Sequence, residues 1–224
     1  MPTPFTAPSA HDYRDGPPRQ VPGYASLHRM ISMLLAERAP AEARVLVLGA
    51  GGGLELRALA EAHPGWSFDG IDPSADMLRL ASETIAPYAD RVRLYEGYID
   101  TAPDGPFDVA LCLLTFHFIP REQRLPTLRQ IHRRLQPGAP FTLAHVSFSQ
   151  MEPGRSQWIA RHVAFGAPDG LDPARFEAAK QAIATRLTIL APEEEEAMLA
   201  EAGFTDISLF YAGLSFRGWV SYAG

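Results

Sequence analysis

Cysteine is almost missing from the chain: Cys112 is the only one in 224 residues. That excludes an internal disulfide and fits a reducing compartment. Lysine is just as scarce, with Lys180 the single example, so arginine carries nearly all of the positive charge. Against 26 carboxylates the 20 cationic side chains leave a net charge of −6 and a pI near 5.6. This balance argues against bulk nucleic-acid or anionic-membrane binding, which depends on clustered cations. No apolar run approaches the roughly 18 residues of a membrane-spanning helix. The segment from Met1 to Pro18 lacks the basic start and apolar core of a signal peptide. A cytoplasmic protein with no membrane partner is the expectation. Internal repeats, low-complexity tracts and zinc-type spacings are also missing, and no metal is expected. A chain of this length can bury one substantial core, and one α/β domain is the default.

What is present is organised around residues 44–72. Val45 to Leu48 form a short continuous apolar run, as expected for a strand buried on both faces of a parallel sheet. Gly49, Gly51, Gly52 and Gly53 follow at once, where the backbone must turn sharply and let a ligand approach without Cβ interference. A helical pattern then runs from Leu54 to about His63-Pro64-Gly65, and a second strand from Trp66 to Ile71 delivers Asp72. An acid at the tip of the second strand is where a doubly wound fold binds ribose hydroxyls. The dinucleotide fingerprint G-x-G-x-x-G would need glycine where Leu54 stands, which disfavours a nicotinamide oxidoreductase. The spacing that fits is G-x-G-x-G, over Gly49-Ala50-Gly51-Gly52-Gly53.

Along the rest of the chain, residues 1–22 are proline-rich and aperiodic, and are expected as a flexible arm in which His11, Asp12, Tyr13 and Arg14 fold over a ligand. The domain proper would span 23–224. A helix is expected over 24–39, and Pro22-Gly23 would turn Tyr24 towards the top of the first strand. Ser74 caps a helix that stops before Pro87. Strands follow at 92–95, 107–113 and 141–148, with an amphipathic helix over 121–135. Two helices, about 154–165 and 172–186, form an insertion at about 150–190. The run Glu193 to Glu196 opens a further helix and reads as its solvated start. The chain closes on an antiparallel hairpin, Ile207–Tyr211 and Leu214–Tyr222, turning at Ala212-Gly213.

The glycine turn and the continuation Gly70-Ile71-Asp72-Pro73-Ser74-Ala75-Asp76-Met77 resemble motifs I and II of class I S-adenosylmethionine (SAM) methyltransferases. The phrase Arg134-Leu135-Gln136-Pro137-Gly138 resembles the family's signal before strand five. The resemblance covers nearly all of residues 23–222. It implies a Rossmann-like, doubly wound seven-stranded sheet with an antiparallel last strand and a helical insertion after strand five. It also implies SAM as cofactor, S-adenosylhomocysteine as product and a small-molecule acceptor. By the same resemblance, Gly49, Ala50, Gly51 and Gly53 would carry the amino-acid end of SAM, Asp72 and Pro73 the ribose, and Met77, Tyr98 and Ile99 the adenine. Two positions depart from the family pattern: Val47 and Tyr98 stand where acids are common.

Within the family, Val21-Pro22-Gly23-Tyr24, Met30 to Leu34 and Thr115-Phe116-His117-Phe118 are similar to the carboxy-SAM synthases of tRNA wobble-uridine modification. That resemblance implies cofactor contacts at Tyr24 and Leu113, and prephenate as a carboxyl donor. Its insertion arginine falls near Lys180, or at Arg186 with a gap, and lysine is a poorer two-pronged carboxylate partner than arginine. The reading is therefore a SAM-dependent methyltransferase. The alternatives are a carboxy-SAM synthase-like enzyme and a catalytically silent SAM-binding protein. His117 is a weak candidate base beyond strand four, and His145 reads as structural. Tyr13, Arg14, Trp158, His162, Tyr211 and Arg217 are candidates for the acceptor pocket, and a homodimer stays open.

Overall fold

A computed structural model of the chain describes residues 16–167 and 171–224. Seven strands form one sheet: β1 (Arg44–Leu48), β2 (Ser67–Asp72), β3 (Val92–Glu96), β4 (Val109–Leu113), β5 (Pro140–Val146), β6 (Phe204–Gly213) and β7 (Phe216–Ala223). Their order is β3-β2-β1-β4-β5-β7-β6. The first five are parallel, and β7 enters antiparallel between β5 and β6. The expected doubly wound sheet with its antiparallel last strand is what forms. Strand order reverses beside β1, and a crevice at the carboxyl ends of β1 and β4 is where open α/β sheets take ligands.

Among the described residues the sheet is covered by α1 (Tyr24–Ala36), α2 (Leu54–Ala62), α3 (Ala75–Thr84), α4 (Arg121–His132), α5 (Gly154–Gly166), α6 (Pro173–Arg186) and α7 (Pro192–Glu201). Alternation along each strand divides the apolar side chains between two cores. Val45, Val47, Val109 and Leu111 meet Leu27, Ile31 and Leu35 of α1 and Leu56 and Leu59 of α2. Leu46, Ala110 and Cys112 face the other way, towards Leu128 and Ile131 of α4, Leu199 of α7 and Trp219 of β7. Each such burial contributes about 1.5–3 kcal/mol. Helices α5 and α6 are the expected insertion, tied together where Arg155 Nη2 donates to the Ala184 carbonyl at 3.3 Å.

Two expectations need correction. The hairpin turns at Leu214-Ser215, after a β6 that starts at Phe204 and runs through Gly213. Gly213 is small for packing and not for turning, because a Cβ there would lie 2.2 Å from the Tyr211 hydroxyl. The second correction concerns the arm. Residues 16–20 are helical and Val21 is 2% exposed within the first core, so order begins before residue 23. Residues 1–15 of that arm, with His11, Asp12, Tyr13 and Arg14, lie outside the described residues.

Candidate functional site

The turn after β1 is held almost wholly by backbone groups. Gly49 and Ala50 both donate to the Ile71 carbonyl, at 2.8 and 2.9 Å, and Gly53 donates to Ala50 at 2.9 Å. Gly49, Gly51 and Gly53 adopt φ of 79°, 48° and 80°, the left-handed region that glycine enters without penalty. At Gly49 a Cβ would lie 2.0 Å from Thr115 Oγ1, so the turn can only close against the β4 exit if that residue is glycine. Of residues 49–53, only Gly51 is not buried.

Asp72 locks this turn to β2. Its Oδ2 accepts from the Gly51 amide at 2.9 Å and its Oδ1 from the Ser74 amide at 2.9 Å. Ser74 in turn caps α3 by accepting from the Met77 amide at 3.3 Å. The Asp72 residue is 9% exposed, and burial raises its pKa while the two amide bonds pull it back down. Each carboxylate oxygen still has a lone pair free for another donor. The other sequence candidates ring the same edge. Met77, Ile99 and Leu113 are buried, Pro73 is half-buried, and Tyr98 is 60% exposed at the rim after β3. Tyr24 packs on His28, ring centroids 4.3 Å apart.

Beyond β4 the backbone is strained. Leu114 takes φ 53°, uncommon for a non-glycine residue and a mark of functional loops. Thr115 follows, its hydroxyl donating to the Leu113 carbonyl at 3.0 Å. His117 comes next but is buried, with Nδ1 3.4 Å from the Val146 amide and its carbonyl accepting from Thr188 at 2.9 Å. Burial, more than the nearby His162 and Arg124 charges, lowers its pKa to about 3. His117 is thus a brace between β5 and residues 187–190, and a poor proton acceptor at neutral pH.

The acidic run at the start of α7 is a correction. Only Glu193 is solvated. Glu194 accepts from the Ala191 amide at 3.1 Å and pairs with Arg121 at 2.6 Å, and Glu196 accepts from Trp219 Nε1 at 2.9 Å. Glu195 is fully buried against the equally buried Arg124, which also donates to the Thr188 carbonyl. Burial raises the Glu195 pKa to about 7 despite Arg124. His145 lies 3.6 Å from the same carboxylate between Phe116 and Trp219, a structural position as expected. Arg124 and Glu195 are 71 residues apart, and no spacing rule links them.

Three of the acceptor-pocket candidates do meet, where α5 crosses the start of β7. The Arg161 and Arg217 guanidinium groups sit 4.7 and 5.7 Å from the Trp158 ring centre. His162 Nδ1 is 2.7 Å from Ser215 Oγ in the hairpin turn. Tyr211 stands beside them as a structural tie, its hydroxyl donating to the Pro22 carbonyl at 2.6 Å. Lys180 lies apart, pairing with Glu177 at 2.9 Å along α6. Among the described residues no group of three His, Cys, Asp or Glu could hold a metal, and no helix is long and apolar enough to cross a membrane.

Residues 46–141 match the family model described as a methyltransferase domain. A carboxy-S-adenosyl-L-methionine synthase from Chromohalobacter salexigens is 25% identical over 208 residues, covering 91% of this chain and 77% of its own. The structure of an O-methyltransferase family protein from Burkholderia thailandensis is similar with a TM-score of 0.70 at 14% identity, over 96% of this chain and 60% of that one. Human N-acetylserotonin methyltransferase, in complex with SAM, gives a TM-score of 0.59 at 14% identity, over 99% of this chain and 60% of its own. This chain therefore spans three-fifths of the length of those two structures. The matched segment runs from β1 into β5 and so takes in the glycine turn, Asp72 and the strained exit of β4, and the fold is the one that these methyltransferase structures share.

Proposed function

We propose that the chain transfers the methyl group of SAM to a small-molecule acceptor entering between α5 and the β6–β7 turn. The observation that carries this is the glycine-rich cradle at Gly49 to Gly53, fastened to a buried carboxylate with lone pairs to spare. Those residues fit SAM. The bare turn admits its amino-acid end, Asp72 accepts from the ribose hydroxyls, and Met77, Ile99 and Tyr98 border the adenine. Tyr24 and Leu113 close the methionyl side, with Ala50 and Pro73 shaping the floor. Bound SAM supplies a methyl group already activated on a sulfonium.

The chain's own contribution is then alignment. His117 is neutral and engaged, so the rate rests on in-line positioning and on an acceptor atom that is nucleophilic without a strong base. Trp158 flanked by Arg161 and Arg217 favours a flat or anionic acceptor. Such an enzyme would work in the cytoplasm, as a monomer or a homodimer.

The name of the Chromohalobacter relative supports a second reading, formation of carboxy-SAM. The insertion speaks against it. Lys180 is engaged with Glu177 and Arg186 is exposed, so neither is a fixed two-pronged carboxylate partner. The test is incubation with SAM and prephenate followed by mass spectrometry of the bound cofactor. Only SAM or S-adenosylhomocysteine should be found, with methyl transfer to a flat or anionic acceptor in a metabolite panel. A cofactor heavier by one carboxylate would establish the second reading. Binding without turnover across the panel would leave a silent SAM-binding protein.

A further inference from the structure

Two guanidinium groups beside the hairpin turn share one aromatic ring and no counter-charge. Trp158 of α5 stacks on the buried Phe148, ring centroids 6.3 Å apart, and so forms a fixed platform. Arg161 and Arg217 lie 4.7 and 5.7 Å from its ring centre, both inside the roughly 6 Å over which a ring attracts a cation. The Ser147 amide donates to the Ser215 carbonyl at 3.0 Å, which sets the turn before Arg217 at the carboxyl end of β5. That is the edge on which open α/β sheets take ligands.

The Arg217 guanidinium is pinned in one orientation. Its Nη1 donates to the Leu214 carbonyl at 2.6 Å and to the Phe216 carbonyl at 2.7 Å. Among the described residues its Nε and Nη2 donate to nothing, and nor does any guanidinium nitrogen of Arg161. The Nε–Nη2 edge is a pair of parallel N–H groups, the fork that matches the two oxygens of a carboxylate.

Among the described residues no acid answers these two cations. Neither α5 nor β7 contains a carboxylate. Glu152, just before α5, accepts from the Ser156 amide at 3.3 Å, and Glu177 of α6 is taken by Lys180 at 2.9 Å. Arg155, the other arginine of α5, meets only neutral oxygens, Gln150 Oε1 at 3.2 Å and the Ala184 carbonyl at 3.3 Å. His162 adds no charge at neutral pH, because burial lowers its pKa. Like charges held this close repel, a cost that one glutamate on α5 would remove.

The Trp158 ring is already engaged by Phe148 and two guanidiniums, so what the pair offers a ligand is charge and a fork. We infer that Arg161 and Arg217 recognise the acceptor as an organic acid, its carboxylate lying on the Nε–Nη2 edge of Arg217 with Arg161 supplying the second charge. This rests on the reading of the chain as a methyltransferase whose acceptor enters between α5 and the hairpin turn, and it narrows the acceptor to a carboxylate.

Of the three tryptophans, Trp66 and Trp219 are 3% and 0% exposed, so quenching of fluorescence by iodide reads Trp158. At constant ionic strength benzoate should protect Trp158 saturably, and benzamide, the same ring without the charge, should not. Arg217→Gln should weaken the benzoate midpoint by about tenfold, the worth of a charge-assisted pair. Arg217→Lys should restore little of it, because lysine lacks the fork, and Arg161→Gln should weaken it by about threefold. Quenching by neutral acrylamide should match wild type in all three, as expected if the platform is intact, and SAM affinity by calorimetry should stay within about twofold. In the methyl-transfer panel, carboxylic acids should be methylated and their amides refused. Equal protection by benzamide or by inorganic phosphate would overturn the inference. So would an unchanged midpoint in Arg217→Gln, full affinity in Arg217→Lys, or preference for an amide over its acid. Failure of wild type to bind SAM, or to methylate anything in the panel, would instead strike the methyltransferase reading and leave the benzoate titration to decide the arginine pair.

Discussion

The two sides of the sheet secure their carboxyl edges by different means. On the β2–β1 side the fastening is backbone to carboxylate: Gly51 and Ser74 amides on Asp72, 21 and 2 residues away. On the β4–β7 side it is side chain to distant partner: Arg124 on Glu195, Tyr211 on Pro22, His162 on Ser215, with separations of 71, 189 and 53 residues. The first needs only glycines and one acid in a fixed local order. The second depends on which side chains meet once the fold has closed. The proposed cofactor edge could thus stay the same while the proposed acceptor edge is rebuilt residue by residue.

The largest expected effect tests the second kind of fastening. Glu195→Ala leaves Arg124 buried without its counter-charge and should cost about 3–5 kcal/mol in urea unfolding, while SAM affinity of the folded fraction stays within about twofold. Glu195→Gln separates charge from shape. Because burial raises the Glu195 pKa from 4.5 to about 7, the folded state holds a proton that the unfolded state releases. The stability advantage of wild type over Glu195→Gln should therefore fall as pH rises from 4.5 through about 7 and then level off. Wild-type stability in Glu195→Ala would erase the contrast.

The next effect tests the first kind. Asp72→Ala removes the acceptor for two amides and the expected ribose contacts, and should weaken SAM by about 1.5–3 kcal/mol by calorimetry. An unchanged dissociation constant would remove Asp72 from the site. The smallest effect is Tyr211→Phe, which deletes one neutral hydrogen bond to Pro22. About 0.5–1.5 kcal/mol of stability should be lost, with SAM affinity unaltered. A larger effect on SAM than on stability would mean that this tie serves the cofactor edge as well.

The same contrast decides what can be read from the sequence. The turn, the Ser74 cap and the strand carrying Asp72 are short-range patterns, and each lies where its spacing predicts. The hairpin turn was misplaced because a glycine beside alanine reads as a turn, whereas Gly213 is small to clear the Tyr211 ring. The Glu193 to Glu196 run was misread because four acids at a helix start normally face water. Burial of Glu195 depends on Arg124 in a different helix, which no local pattern reveals.

The late entry of β7 has a consequence for synthesis of the chain. β5 borders β7 along its whole length, from Pro140 against Tyr222 to Val146 against Phe216. While residues 216–223 are still inside the ribosome, β1 to β5 can already pair, but β5 presents a raw row of amides and carbonyls with buried-type residues on both faces. β6 cannot cover it, because β6 joins the sheet only through β7. A nascent chain paused just short of β7 is therefore open to strand pairing with its neighbours on the same message, and emergence of residues 216–223 closes that window.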